Sequence, residues 1–332
     1  MTEGSAERGT AAVPHAGGGG SDAAWPHLIP VGHWGAILRR VVRHVLDDRL
    51  MVLSAGISFF ALLSIAPMLV TAVSVYGAVT TPEEALEQLS GVARSLPTDL
   101  EPLVADQLTT VTAASTRVLT LRGLTGLVVA LWTATTAATY LIDALTLAYH
   151  ETETRGFLRR SGLGLVFVIG GALLLGGVLT VSDVFSGALD DAPGLVRAVS
   201  PVFPWLALGV LMAVVLAALY RFAPDRRQAR WRWISGGAVT ATLLWLATSA
   251  GLFAYVQSLG SYSSTYGSLA GVAISMFWLW ISVFLVIVGA AVNAEAERQT
   301  LQDSTVGPER PLGERGAVVA DSLPPGRPPR GR

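Results

Sequence analysis

Cysteine is absent from the 332 residues, and so is lysine, so all 23 basic side chains are arginine. The first absence excludes disulfides, thiolate catalysis and cysteine-ligated zinc or iron–sulfur centres. The second removes the phosphate-loop lysine, Schiff-base chemistry and any lysine general base. Charge is scarce too. Asp, Glu and Arg make up 14% of the chain, against about 25% in a soluble domain. A formal net charge of −1 gives no bulk attraction to nucleic acid. The five histidines, His15, His27, His33, His44 and His150, show no H-E-x-x-H or related ligand spacing, so no zinc site is expected. No G-x-S-x-G elbow occurs, and Gly17–Gly20 read as linker. His150 with Glu151 and Glu153 is the nearest approach to a cluster, and mutual charge satisfaction with Arg155 accounts for it. The chain is therefore expected to carry no catalytic residue, no cofactor and no metal.

What the chain has is apolar length. Hydrophobic residues make up 52%, and mean hydropathy is +0.53. A helix needs about 20 apolar residues to span the hydrocarbon core. Runs with little or no charge place six spans, at about 51–79, 123–148, 161–185, 198–220, 233–256 and 268–292. The last two divide one uncharged stretch at the polar insert QSLGSYSSTYGS, residues 257–268. The sequence thus predicts an all-α bundle of six transmembrane helices. If the spans alternate, arginines before span one (39, 40, 43, 49) share a side with those after span two (155, 159, 160), span four (221, 226, 227, 230, 232) and span six (298). Only Arg94, Arg117, Arg122 and Arg197 fall opposite. The positive-inside rule then places both termini in the cytoplasm.

The flanks read differently. Residues 31–50 carry Trp34, Ile37, Leu38, Val41, Val42, Val45 and Leu46 at helical spacing among charges, and predict an interfacial amphipathic helix. His44 on its polar side is expected to be solvated. The outer loop, 80–122, predicts two amphipathic helices separated by Pro97, the first opened by Thr81 and Pro82. Residues 1–30 have no apolar core of a signal peptide and read as a disordered tail. Residues 299–332, rich in Pro, Gly and Arg, read the same way.

Polar and small residues inside the spans are the candidates for the bundle interior. In span one, Ser58 and Ser64 precede Pro67, which has no N–H to donate to the carbonyl of Leu63. A bend near Leu63–Pro67 is expected, with Ser54, Ser58, Ala61 and Ser64 inward and Phe59, Leu63 and Val70 outward. Asp143 sits near the arginine-rich end of span two, where an arginine partner satisfies it; a transport or gating role is the alternative. Gly267, Gly271 and Ser275 form a small-residue stripe read as close helix packing. Trp278 lies mid-span, where its N–H needs a partner. Asn293 is expected to cap its helix or bond a neighbouring one.

Three blocks then stand together: RRVVRHVLDDRLMVLSAGISFFALLSIAPMLV, ALYRFAPDRRQARWRWISGGAVTATLLWL and SYSSTYGSLAGVAISMFWLWISVFLVIVGAAVNAEAER. Together, over about residues 33–298, they resemble the YihY/BrkB family of bacterial inner-membrane proteins. The third block is the most specific, through Tyr266, Gly267, Ser268, Trp278, Gly289, Asn293, Ala294 and Glu295. Ser64 and Pro67 match the family's Leu-Ser-x-x-Pro pattern, while Gly156 stands where the family often has proline. The resemblance implies six spans with both ends inside. It brings two inherited labels, a virulence or serum-resistance factor and a tRNA-processing ribonuclease. Dispersed arginines and the lack of ligand spacing argue against the second. The function expected is a transporter or flippase-like protein for lipid or anionic envelope precursors. The alternative is a non-transporting scaffold for envelope assembly. Membrane lipids are the expected partners on the first reading, and envelope-assembly proteins on the second.

Overall fold

A computed structural model describes residues 23–79, 116–190, 203–258 and 268–324. The expected outer-loop helices, together with Tyr266 and Gly267, lie outside the described residues. The described chain is helical. Helix α1 (Val31–Asp47) leads into α2 (Leu50–Val79), followed by α3 (Thr116–Ala148), α4 (Phe157–Asp190), α5 (Phe203–Phe222), α6 (Trp231–Ser258), α7 (Ser268–Glu297) and a single turn, α8 (Val318–Asp321). Five of these, α2, α3, α4, α6 and α7, contain stretches long and apolar enough to cross a membrane. The apolar stretch of α5, Leu206–Phe222, is shorter.

Helix α7 is the axis. It packs against α6, α2, α1 and α3, while α2 pairs closely with α3, α3 with α4, and α5 with α6. The arginine-bearing ends come together at one end of the bundle. These are the α1–α2 junction, the α3–α4 and α5–α6 connections, and the end of α7. Away from that end the helices carry exposed apolar side chains such as Leu69, Trp132, Leu173 and Phe253, the surface a bilayer covers.

Helix α2 stays helical from Leu50 to Val79, across Pro67. Ser54 and Ser58 are buried and Ser64 half-buried, whereas Phe59, Leu63 and Val70 are exposed. Each serine hydroxyl donates to a carbonyl of its own helix, Ser54 to Leu50, Ser58 to Ser54 and Ser64 to Ala61. These hydroxyls are thereby satisfied within the helix and can face other helices without a cross-helix partner. Helix α1 is amphipathic in two directions. Ile37, Val41 and Val45 are buried, while Leu38, Val42 and Leu46 form an exposed stripe.

Three expectations are corrected. First, His44 is not solvated; it is 7% exposed, because the polar edge of α1 faces the end of α3 rather than water. Second, Gly271 is not a packing position. A Cβ there would meet nothing within 4 Å, and Ser275 is exposed. Small residues at helical spacing make a close contact only where another helix lies opposite. Third, the flanking segments are folded where described. Ala23 and Ile29 are buried, and the Thr300 hydroxyl donates to the Ala23 carbonyl.

Residues 301–324 wrap around Arg315. Its guanidinium donates to the carbonyls of Leu301, Gln302, Arg310 and Ala320. The Asp303 and Asp321 carboxylates accept backbone N–H groups. Gly307, Gly313 and Gly316 take positive φ at the turns. Composition suggests disorder here, but buried polar bonds supply what a hydrophobic core would otherwise supply. Arg315→Ala is expected to free this segment, since hydrogen bonds to a charged group contribute about 1.5–3 kcal/mol each. Limited proteolysis should then cut within 301–324 while the helices stay intact. Unchanged protection would disprove Arg315 as its organiser.

Candidate functional site

The polar residues that the sequence singles out converge at the arginine-rich end, and they do so on α7. Its last turns read NAEAER, residues 293–298. Ala294 and Ala296 are buried and small, so neighbouring elements approach closely enough to reach the charges beside them. Glu295 is 1% exposed. It accepts from Arg40 Nε of α1 at 2.5 Å, and from Arg298 Nη1 and His150 Nε2 at 3.0 Å each. Arg40 also reaches the Glu295 carbonyl and Gln299. One carboxylate thus ties α1, the α3–α4 connection and α7 together.

Glu297 holds a second, drier centre. Arg226 donates to both of its oxygens, at 2.6 and 3.0 Å, and the side chains are 2% and 1% exposed. Ser304 donates to the same carboxylate. The guanidinium lies over the Tyr149 ring, 4.9 Å from its centre. Burial works against the Arg226 charge, but the carboxylate beside it outweighs burial and raises the group above its ordinary value. Burial also raises the Tyr149 phenol well above its ordinary value.

Asn293 joins this centre to the membrane-embedded helices. Its Oδ1 accepts from Gly237 N at 2.6 Å, and its Nδ2 donates to Ile234 O at 2.9 Å and to Tyr149 Oη at 3.4 Å. The amide therefore bonds a neighbouring helix rather than capping its own. The contact needs α6 and α7 very close, and two glycines make that approach. A Cβ on Gly237 would stand 2.1 Å from the Gly289 carbonyl oxygen, and one on Gly289 would stand 2.4 Å from Tyr220 Oη. Tyr220 Oη donates to the Val286 carbonyl at 2.7 Å.

The α3–α4 and α5–α6 connections carry a third cluster. Arg155 pairs with Glu153 and Asp225 and donates to the Ala223 carbonyl. The hydrogen bond from Arg155 holds Glu153 below the usual carboxylate range. Asp143 pairs with Arg160 at 3.1 Å. Trp278 Nε1 donates to Ser249, and Trp245 Nε1 to Ser282, a reciprocal pair between α6 and α7. Ser268 opens α7, far along the helix from this end.

Sequence reasoning missed Tyr149, Arg226, Gly237, Glu297 and the pairing of His44. Of the expected candidates, Asn293, Glu295 and Gly289 come together, while Asp143 and Trp278 stand apart with partners of their own. His44 Nδ1 lies 2.7 Å from Asp48 Oδ2, and its ring centre is 4.0 Å from that of His150. Burial, then the facing His150, lower its affinity for a proton. Among the described residues, His44, Asp48 and His150 form a group whose donor atoms lie within 4.8 Å of one another. Spacing along the chain hid this group, because His150 belongs to a different element.

One further feature lies within the apolar region. A shallow, open groove of about 550 Å³ lies on the outer face of α2 and α3, lined by Ala66, Pro67, Val70, Arg122, Thr125, Gly126 and Val129. Gly126 lets α3 meet α2 here, since a Cβ would lie 2.8 Å from Thr71 Oγ1 and 3.1 Å from the Pro67 carbonyl. Arg122 is exposed and forms no ion pair among the described residues.

Comparison with known proteins gives a consistent picture. The family described as virulence factor BrkB matches residues 41–312. The ribonuclease-like protein YfkH of Bacillus subtilis is 32% identical over 179 residues, 51% of this chain and 63% of that one. A UPF0761 membrane protein of Rhodospirillum centenum is 26% identical over 86% of this chain and 63% of its own length. One from Methylibium petroleiphilum is 25% identical over 79% and 62%. The chain thus spans under two thirds of the length of these relatives. No solved structure matches it.

Proposed function

Given that the chain belongs to the virulence factor BrkB family of membrane proteins, we propose that it is a flippase-like transporter of lipids or anionic envelope precursors. It sits in the bacterial plasma membrane as a six-span protein, with both termini and the arginine-rich end in the cytoplasm. It is not an enzyme, and membrane lipids are its partners.

The observation that carries this reading is the open apolar groove beside Pro67, with Arg122 among its lining residues. Its walls are apolar, and it lies along two helices whose neighbouring surface is exposed Leu63, Leu69 and Val128. An acyl chain matches such walls. A phosphate or carboxylate headgroup matches Arg122, which can grip it through two hydrogen bonds. Without a nucleotide-binding motif, movement would follow a gradient or be passive.

Reconstitution into liposomes with a fluorescent anionic phospholipid tests this. Wild-type protein should exchange the lipid between leaflets. Val129→Trp, which fills the groove, and Arg122→Gln, which removes the headgroup contact, should each slow exchange several-fold. Exchange no faster than in empty vesicles would end the transport reading. A non-transporting scaffold is the second reading. The interlocked charges at the arginine-rich end favour it, because they hold that end closed. Recovery of one defined envelope-assembly protein by mild cross-linking would support it.

A further inference from the structure

We propose that His44, Asp48 and His150 bind a divalent transition-metal ion of the zinc, cobalt or nickel type. The three bring donor atoms within 4.8 Å of one another. Their hydrogen bonding indicates which atoms are free to ligate. A neutral imidazole has one N–H and one lone pair. His44 Nε2 faces the Ala148 carbonyl at 3.2 Å, and Nδ1 faces the Asp48 carboxylate at 2.7 Å. Both neighbours are acceptors. In the tautomer that donates Nε2–H to the carbonyl, the Nδ1 lone pair faces the carboxylate, and a cation between them satisfies both. A proton would join His44 to Asp48 alone, while the His150 ring, 4.0 Å away between centres, would face them unbonded on that side. A metal ion uses all three.

His150 is arranged in the same way. Its Nε2 lies 3.0 Å from Glu295 Oε1 and 3.5 Å from Arg298 Nη1; in the tautomer that donates Nε2–H to Glu295, Nδ1 carries the lone pair. Metal-ligating histidines characteristically donate their second ring N–H to a carbonyl or carboxylate, which fixes the tautomer and the ring. Ala148 does this for His44, and Glu295 for His150. Arg40 and Arg298 in turn fix Glu295. His150 also holds a left-handed backbone at φ 57°. Such a conformation is uncommon in a non-glycine residue and persists where its surroundings enforce it.

The donor set is two imidazoles and one carboxylate. It suits zinc and its neighbours, not calcium or magnesium, which prefer oxygen ligands. Ligand atoms of a tetrahedral centre stand about 3.3 Å apart, so small rotations of three side chains would complete the contacts. Asp48 is 36% exposed and provides the entry path. Three protein ligands leave a fourth position for water. Bound there, the ion would fasten the interfacial helix α1 to the connection after α3.

The test uses the full chain, free of any histidine tag, in detergent and stripped of metal with a chelator. Zn²⁺ titrated calorimetrically should bind with one equivalent per chain and raise the thermal midpoint. Asp48→Asn and His150→Asn should each weaken binding by about tenfold or more and abolish that rise. Asparagine tolerates the left-handed backbone at position 150, and His33→Ala, outside the group, should bind as the wild type does. Co²⁺ in the wild type should give the visible absorption of a tetrahedral nitrogen–oxygen centre, a readout independent of whether any variant folds. No stoichiometric uptake by the folded wild type, or equal affinity in both asparagine variants, would overturn the site, as would a Co²⁺ spectrum of the hydrated ion alone.

Discussion

Gly237→Val should lower the stability of the fold sharply. The glycine lies where α6 crosses α7, and a Cβ would stand 2.1 Å from the Gly289 carbonyl and 2.6 Å from Asn293. The first neighbour is backbone, so no rotamer change relieves the clash and the helices must part. Overpacking a filled site costs about 1–3 kcal/mol. Parting also removes the Asn293 bonds to Gly237 and Ile234, and a buried polar group left unsatisfied costs about 1–3 kcal/mol more. Together these come to about 2–6 kcal/mol, a large share of a typical stability of about 5–15 kcal/mol. Gly271→Ala supplies the contrast. Space is open there, and alanine is the better helix former, so stability should hold or rise. Thermal unfolding in detergent, followed by loss of the monodisperse peak, measures both. A Gly237→Val chain melting within a few degrees of wild type would refute the close crossing.

Glu297→Ala is expected to have the next largest effect. It would leave Arg226 charged, 2% exposed and without its bidentate partner. Removing one member of a buried ion pair costs about 3–5 kcal/mol, chiefly because the other charge stays buried. Ser304 would lose its acceptor too, so protease sensitivity within 301–324 should rise alongside the fall in melting temperature. Replacing both partners, Arg226→Met with Glu297→Leu, should recover much of the loss, since well-packed apolar pairs often match a buried ion pair. A double-mutant cycle reads the coupling. If the single and double variants melt alike, the pair is not a coupled unit.

These two sites show what the sequence can and cannot reveal. Apolar runs mark α2, α3, α4, α6 and α7, because the bilayer sets a minimum length for a span, and length is visible in one dimension. The inward stripe of Ser54 and Ser58 is legible for a similar reason, since helical period sorts residues by face. What lies opposite a face is not periodic. Gly271 and Gly289 look equivalent on the page, yet only Gly289 has a helix against it. The ion pairs Arg40–Glu295 and Arg226–Glu297 join residues 255 and 71 positions apart. No local pattern encodes such a pairing. One signal was available, the alternation of alanine with acid in NAEAER, because small neighbours let other elements close over a charge. Composition misled at residues 299–324, where arginine and proline suggested a solvated tail and Arg315 instead binds four backbone carbonyls.

The distance in sequence between Arg40 and Glu295 also sets an order of events during synthesis. A ribosome adds about 5–20 residues per second, so the 255 residues between them take on the order of 10–50 s to make. Throughout that interval Glu295 and Glu297 do not yet exist, so neither central pair can form. The early helices can enter the bilayer and shift against one another while the last is still being made. The turn carrying Glu295 and Glu297 then arrives, and Arg40 and Arg226, made earlier, close upon it.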